Sequence, residues 1–296
     1  MVLDFWTYVN PILRILIYLV ALISIGTILF NFHFEKYLEN DIKYYCNKIL
    51  KSNSASGILL SIIVFFSIAG NLGGDIESIY SVDLINLSLE TLQSKSILLL
   101  FIGFILLYFS TKNLNFLSKI LYFLGTSILV ISFIVVGHSF SSGIYSQLLV
   151  IVHVICISYW VGSFLPLRHM CTINNCKNLH KVAHNFGVYA VIYISLLVIT
   201  GLIFSYILLG GVSPLITSYY GNFLLIKILL VSIILAIGAI NKFKIVPNIK
   251  VNQLDGQNKL KSSIEIEMII TFLVLLLTSI LTVSYTHLRA HETLIY

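Results

Sequence analysis

Charge is scarce in this sequence. Of 296 residues only 10% are Asp, Glu, Lys or Arg, while 58% are apolar, and mean hydropathy is +0.98. A soluble domain carries about 25% charged and about 45–50% apolar residues. No soluble fold hides this much apolar surface, so a soluble enzyme, a disordered chain and a nucleic-acid binder are excluded. Nucleotide and catalytic signatures are missing as well. There is no phosphate-binding loop, no dinucleotide fingerprint, no HExxH and no nucleophile elbow. The chain is therefore expected to be neither an ATP-driven machine nor an enzyme. The apolar runs also lack the alternation of a membrane β-barrel, which leaves helices as the backbone solution in a bilayer.

What is present is a series of long apolar runs. A helix needs about 20 mostly apolar residues to cross about 30 Å of hydrocarbon. Eight runs approach this: 9–30, 57–72, 97–109, 120–138, 145–165, 186–209, 223–240 and 264–282. The reading is an all-α, polytopic membrane helix bundle of about eight transmembrane helices. The first run has no Lys or Arg in its leader and no small-x-small site after it, so it is expected to stay as a membrane helix. The loops after runs 1, 3, 5 and 7 hold fourteen Lys and Arg, from Lys36 to Lys261; the alternate loops hold only Lys95. The positive-inside rule puts the basic loops in the cytoplasm and both termini outside.

Positions 283–293 read VSYTHLRAHET, an abrupt polar stretch after an apolar helix. It is the translation of a transposase adaptor common in sequencing libraries, and 283–296 is read as non-native. His287 and His291, an apparent i, i+4 pair, are set aside with it. Six histidines remain.

Two groups of metal-ligand residues stand out. VGHSFSSG places His138 at the outer end of the fourth run. The fifth run carries HVICISYW, in which His153, Cys156 and Trp160 follow i, i+3, i+7 and share one helix face. His153 lies about 12 Å below the outer end of its span at 1.5 Å per residue. Imidazole and thiolate suit copper or zinc, and no carboxylate is near for a hard cation. Two readings are open: ligands for a metal or haem, or hydrogen bonds between helices. The inner loop after the fifth run, RHMCTINNCKNLHKVAH, holds His169, Met170, Cys171, Cys176, His180 and His184. Thioether and thiol favour Cu(I); free cytosolic thiols and plain basic character are the alternative. Among charges at membrane depth, Lys227 is shallow enough to snorkel. Glu265 and Glu267 open the last run, where solvated helix-end carboxylates are expected.

VGHSFSSG with LLVIVHVICISYWVGSFLPL resembles the histidine-bearing helix pair of the copper resistance D (CopD) family. ITGLIFSYILLGG, SYYGNFLLIKILLVSIILAIGAINKFKIVPNI and LKSSIEIEMIITFLVLLL are similar to its later motifs. The resemblance covers 137–282, a CopD-like C-terminal four-helix half, and leaves 1–136 as an N-terminal four-helix half. It implies a bacterial inner-membrane protein of copper homeostasis that moves copper inward. Carried over by position are His138, His153, Trp160, Tyr220, Gly221, Lys227, Asn241, Pro247, Ser263 and Glu267. Cys156 and the inner Cys/Met/His cluster depart from the pattern. The favoured reading has copper, most readily Cu(I), held outside by His138 and His153, with Cys156 as a third ligand. Trp160 and Tyr220 line or close that site, and His169, Met170, Cys171 and Cys176 form a cytoplasmic relay. With no β-domain ahead of the first run, a separate periplasmic chaperone is the expected donor, lipid the surroundings, and nucleic acid no partner. The rivals are a b-type haem redox protein using the same histidines and an assembly factor delivering copper to a respiratory oxidase.

Overall fold

The protein is described by a computed structural model covering residues 5–112, 116–136, 143–173, 176–211 and 213–292, with the side chains at 219 and 280–292 left aside. His138, and the side chains of His287 and His291, lie outside the described residues. The α-helices longer than one turn are α1 (Phe5–Phe34), α2 (Asn40–Gly73), α3 (Val82–Glu90), α4 (Leu92–Ser110), α5 (Phe116–Ser132), α6 (Ile144–Met170), α7 (Leu179–Leu209), α8 (Tyr219–Ile240), α9 (Val246–Val251) and α10 (Gln253–Glu292). No strand occurs among the described residues. This is an all-α membrane bundle.

Among the described residues each apolar run lies wholly or mostly on a helix, and six helical segments are long and apolar enough to cross a bilayer. Two boundaries differ from the sequence reading. α5 stops at Ser132 after 17 residues, six short of His138. α2 begins at Asn40 and runs 34 residues, about 51 Å at 1.5 Å per residue. Lys43, Lys48 and Lys51 therefore ride on an N-terminal extension of a helix, not on a loop. Ile42, Cys46, Ile49 and Leu50 are buried along that extension. Their i, i+4, i+7, i+8 spacing gives it an apolar stripe to pack.

α1 is the hub, packing on α2, α6 and α10. Both apolar clusters draw on α1 and α6, so packing is continuous across residue 136. In lipid there is no hydrophobic drive between helices, and close approach of small residues supplies the contact. At the α1–α6 crossing Gly26 faces Gly162 and the Ser158 carbonyl, with no room for a methyl on either glycine. Between α4 and α5, Gly103 receives the Leu129 side chain and Gly125 the Leu107 side chain.

α7 packs on α6 and on α9, and α8 packs on α10. The inner end of α8 passes through one π turn, Asn241–Ile245, into α9. Pro247 gives the reason. Its ring lacks an N–H and presses on the carbonyl four residues back, Phe243, so the coil widens there.

Candidate functional site

α6 presents its ligand face to α7. The His153 Nδ1 lies 3.4 Å from the Thr200 hydroxyl, and the ring sits over Gly201, whose hydrogen leaves the space it occupies. Thr200 donates its own proton to the Leu196 carbonyl at 2.7 Å. Toward the ring it is thus an acceptor, and the Leu197 backbone is a second hydrogen-bond partner of the ring, so α7 takes the ring N–H and the other nitrogen of the neutral ring keeps its lone pair. The Lys227 ammonium is within electrostatic reach of the ring. Cys156, one turn inward, is fully buried.

A further turn inward, α6 meets α1 and α7 in an aromatic box that the sequence reading did not single out. His33 donates from Nδ1 to the Leu29 carbonyl at 2.8 Å, and its Nε2 accepts from the Tyr193 hydroxyl at 3.3 Å. Tyr159 and Tyr193 stack at 4.1 Å, and the rings of Tyr159 and Tyr189 flank His33. Cys156 is within electrostatic reach of Tyr193. His153, Cys156, Tyr193 and His33 therefore follow one another along one seam between α6, α7 and α1. His33 is the only histidine in the first apolar run and its flank; a lone imidazole at the end of a membrane run was the available signal.

Trp160 faces elsewhere. Its Nε1 donates to Glu267 Oε2 at 3.0 Å, while Asn241 Nδ2 donates to Glu267 Oε1 at 2.6 Å. The three are 7%, 8% and 4% exposed for Trp160, Asn241 and Glu267. Glu267 is thus corrected from a solvated helix end to a buried carboxylate; Glu265 does face outward, paired with Arg168 at 2.8 Å. Beside this triad lies a cavity of about 280 Å³, walled by α6, α7, the π turn and α10 and mostly apolar.

Trp160 and Tyr220 do not close one site. Trp160 packs on Gly238, about 27 Å along α8 from Tyr220 at 1.5 Å per residue. Gly221 serves the start of α8. The Ser218 hydroxyl caps its N–H at 3.0 Å, and a methyl there would strike the Pro214 and Leu215 carbonyls.

The inner cluster is spread out. His169 stacks on Tyr45 at 3.8 Å; Met170, Cys171 and Cys176 are buried in the core. Burial pushes the Cys171 thiol up to about 12 and raises Cys176. Both are protonated at neutral pH, so a metal must displace their protons. Among the described residues no three His, Cys, Asp or Glu side chains converge as a metal site.

No curated protein and no solved structure matches the chain. Residues 180–281 match the family model of copper resistance protein D, in agreement with the motifs read from the sequence. From α7 through α10, about a third of its length, this multi-pass membrane protein is similar to the copper resistance D (CopD) family, a likeness that points to membrane copper resistance and homeostasis.

Proposed function

We propose that the protein carries copper, as Cu(I), across the bacterial inner membrane toward the cytoplasm. His138 and His153 receive it on the outer side, from a separate periplasmic donor, and Cys156 is the next ligand inward. The observation that carries this reading is the orientation of His153. Its ring N–H is turned to Thr200 and the Leu197 backbone on α7, and its second nitrogen is left for a cation, the second-partner arrangement that metal-binding histidines use. Soft donors suit Cu(I), which accepts low coordination numbers. From Cys156 the seam of Tyr193 and His33 leads inward, and the raised thiols of Cys171 and Cys176 take the ion only with loss of a proton. The positive-inside pattern supports eight spans with both termini outside.

The test is copper accumulation in cells, normalised to folded protein, for His138→Ala, His153→Ala and the double variant. Losses of about 10-fold or more are expected for each, and the double should lose little more than either single because one site is emptied. Normal uptake by His153→Ala would remove the outer site. A haem absorbance lost in the same variants would transfer these histidines to the redox reading.

A further inference from the structure

Among the described residues Glu267 forms no ion pair, and the pairs Arg168–Glu265 and Lys259–Asp255 lie apart from it. α6 offers the carboxylate the Trp160 indole, and the π turn offers the Asn241 amide, both neutral. α7 contributes no ionisable side chain to the cavity wall. The single cation on that wall is Lys242, and its ammonium lies over the Phe243 ring at 5.6 Å, away from the carboxylate. The second feature is Asn241 Oδ1, which is buried without any hydrogen-bond partner. A carboxylate and an amide oxygen thus sit together beside a cavity, with their acceptor capacity unfilled. Buried acceptors left in that state are costly, so a positively charged or proton-bearing species belongs there.

The chemistry of the wall selects which. Copper in its soft state wants nitrogen or sulfur, and no imidazole or thiol lines this cavity. Hard metal cations want about six or more oxygens. The lining supplies the Glu267 carboxylate, Asn241 and the Ser195 hydroxyl among apolar neighbours such as Phe164, Ile194 and Leu235. A proton needs one oxygen.

We propose that Glu267 is a proton-binding site, served through the cavity from the cytoplasmic side, where Lys242 and Phe243 stand. The proton adds to a carboxylate oxygen of Glu267, and Asn241 turns its amide to accept from the resulting hydroxyl. No other bond changes, and the proton returns to cytoplasmic water when the site empties. Trp160 connects this site to copper, since it lies seven residues from His153 on α6, about 10 Å along the helix. That last link rests on the copper reading; the proton site itself does not.

The experiment is infrared difference spectroscopy of the full-length protein in lipid vesicles, stepped between alkaline and acidic buffer without copper. The expected result is a carboxylic-acid C=O band gained on acidification, absent in Glu267→Gln and moved in frequency in Asn241→Ala. Glu267→Gln is isosteric, and its fold is checked by size exclusion and circular dichroism. If that variant does not fold, the band shift in Asn241→Ala and in Trp160→Phe decides instead. A wild-type spectrum with no band that these variants remove or move overturns the proposal. So does a carboxylate band that moves when sodium replaces choline at fixed pH, which would make the ligand a metal cation. A final arm measures copper uptake into vesicles carrying an internal pH dye. Uptake whose pH dependence disappears in Glu267→Gln supports the link to copper. Uptake with equal pH dependence in both proteins severs that link, and the infrared band still decides the site.

Discussion

Adding one methyl at Gly26 tests whether the α1–α6 crossing holds the ligand helix in place. A Cβ on Gly26 would fall inside the Ser158 carbonyl oxygen and 2.7 Å from the Gly162 Cα. Carbon atoms rest at about 3.5–4.0 Å, so the Gly162 contact alone parts the two helices by about 1 Å and the nearer Ser158 oxygen demands more. A gap of that size forfeits about a quarter to a half of the attraction across the seam. Overpacking of this kind costs about 1–3 kcal/mol. With backbone on both sides neither helix can yield by a rotamer change, so the upper end applies. Alanine returns about 0.5–1 kcal/mol through helix propensity, leaving Gly26→Ala destabilised by about 2 kcal/mol. Gly187→Ala is the control. Its Cβ would meet the Lys242 Cγ at 3.4 Å, an ordinary contact, so only the propensity gain of about 0.5–1 kcal/mol remains. Reversible unfolding of purified protein by SDS titration, followed by circular dichroism, measures both. Equal stability of Gly26→Ala and wild type, or equal damage from the two alanines, would refute the reasoning.

Reporter fusions after Asn178 and Gln257 should read cytoplasm and one after Ser213 should read outside; a reversal at any of them breaks the eight-span topology. Deleting 283–296 should leave copper uptake unchanged, and a loss of uptake would make that stretch native. The Cys171 thiol, held protonated up to about 12 by burial, should resist maleimide in the folded protein and react after SDS. Because its folded pKa is raised, its contribution to stability is intact below the ordinary thiol range near 9 and is lost as pH climbs from there toward about 12; the Cys171→Ala variant should lose that alkaline dependence in the same unfolding assay. Arg168→Ala should change stability by no more than about 1 kcal/mol, since its bond to Glu265 is two-fifths exposed on each side; a larger loss in SDS titration would show the pair to be buried in lipid.

The apolar runs were legible because the bilayer imposes length and continuity on every crossing helix, and composition cannot disguise that. The start of α2 was not, since residues 40–56 are polar enough to read as a loop. Only the spacing of Ile42, Cys46, Ile49 and Leu50 marks them as helix. The neighbourhood of His153 and Cys156 on α6 followed from periodicity, while Trp160, grouped with them by the same spacing, faces Glu267 instead. Which neighbour each one meets did not follow, because Thr200 and Glu267 lie 47 and 107 residues away. Glu267 illustrates the limit best. Beside Glu265, one turn of the same helix looks uniformly solvated, and only the packing of α6 and the π turn separates the paired surface carboxylate from the buried one.

The π turn also has a meaning for how this protein can vary. A π turn holds one residue more than the α-helical coil it replaces. The stretch from Tyr219 to Val251 is therefore a helix with one surplus residue. Losing a single codon anywhere between 241 and 245 would restore regular coil and cost the helix little, Pro247 aside. A codon lost elsewhere in the stretch, outside the π turn, would instead rotate everything on one side of the cut by about 100°, the angular step of a 3.6-residue coil. Asn241 and the α8 or α9 face beyond that cut could not both keep their partners. Substitutions in this segment are graded in effect, whereas changes of length outside the π turn are all-or-none. The reading frame of the coil, more than the identity of any one side chain, is what keeps the amide on the carboxylate.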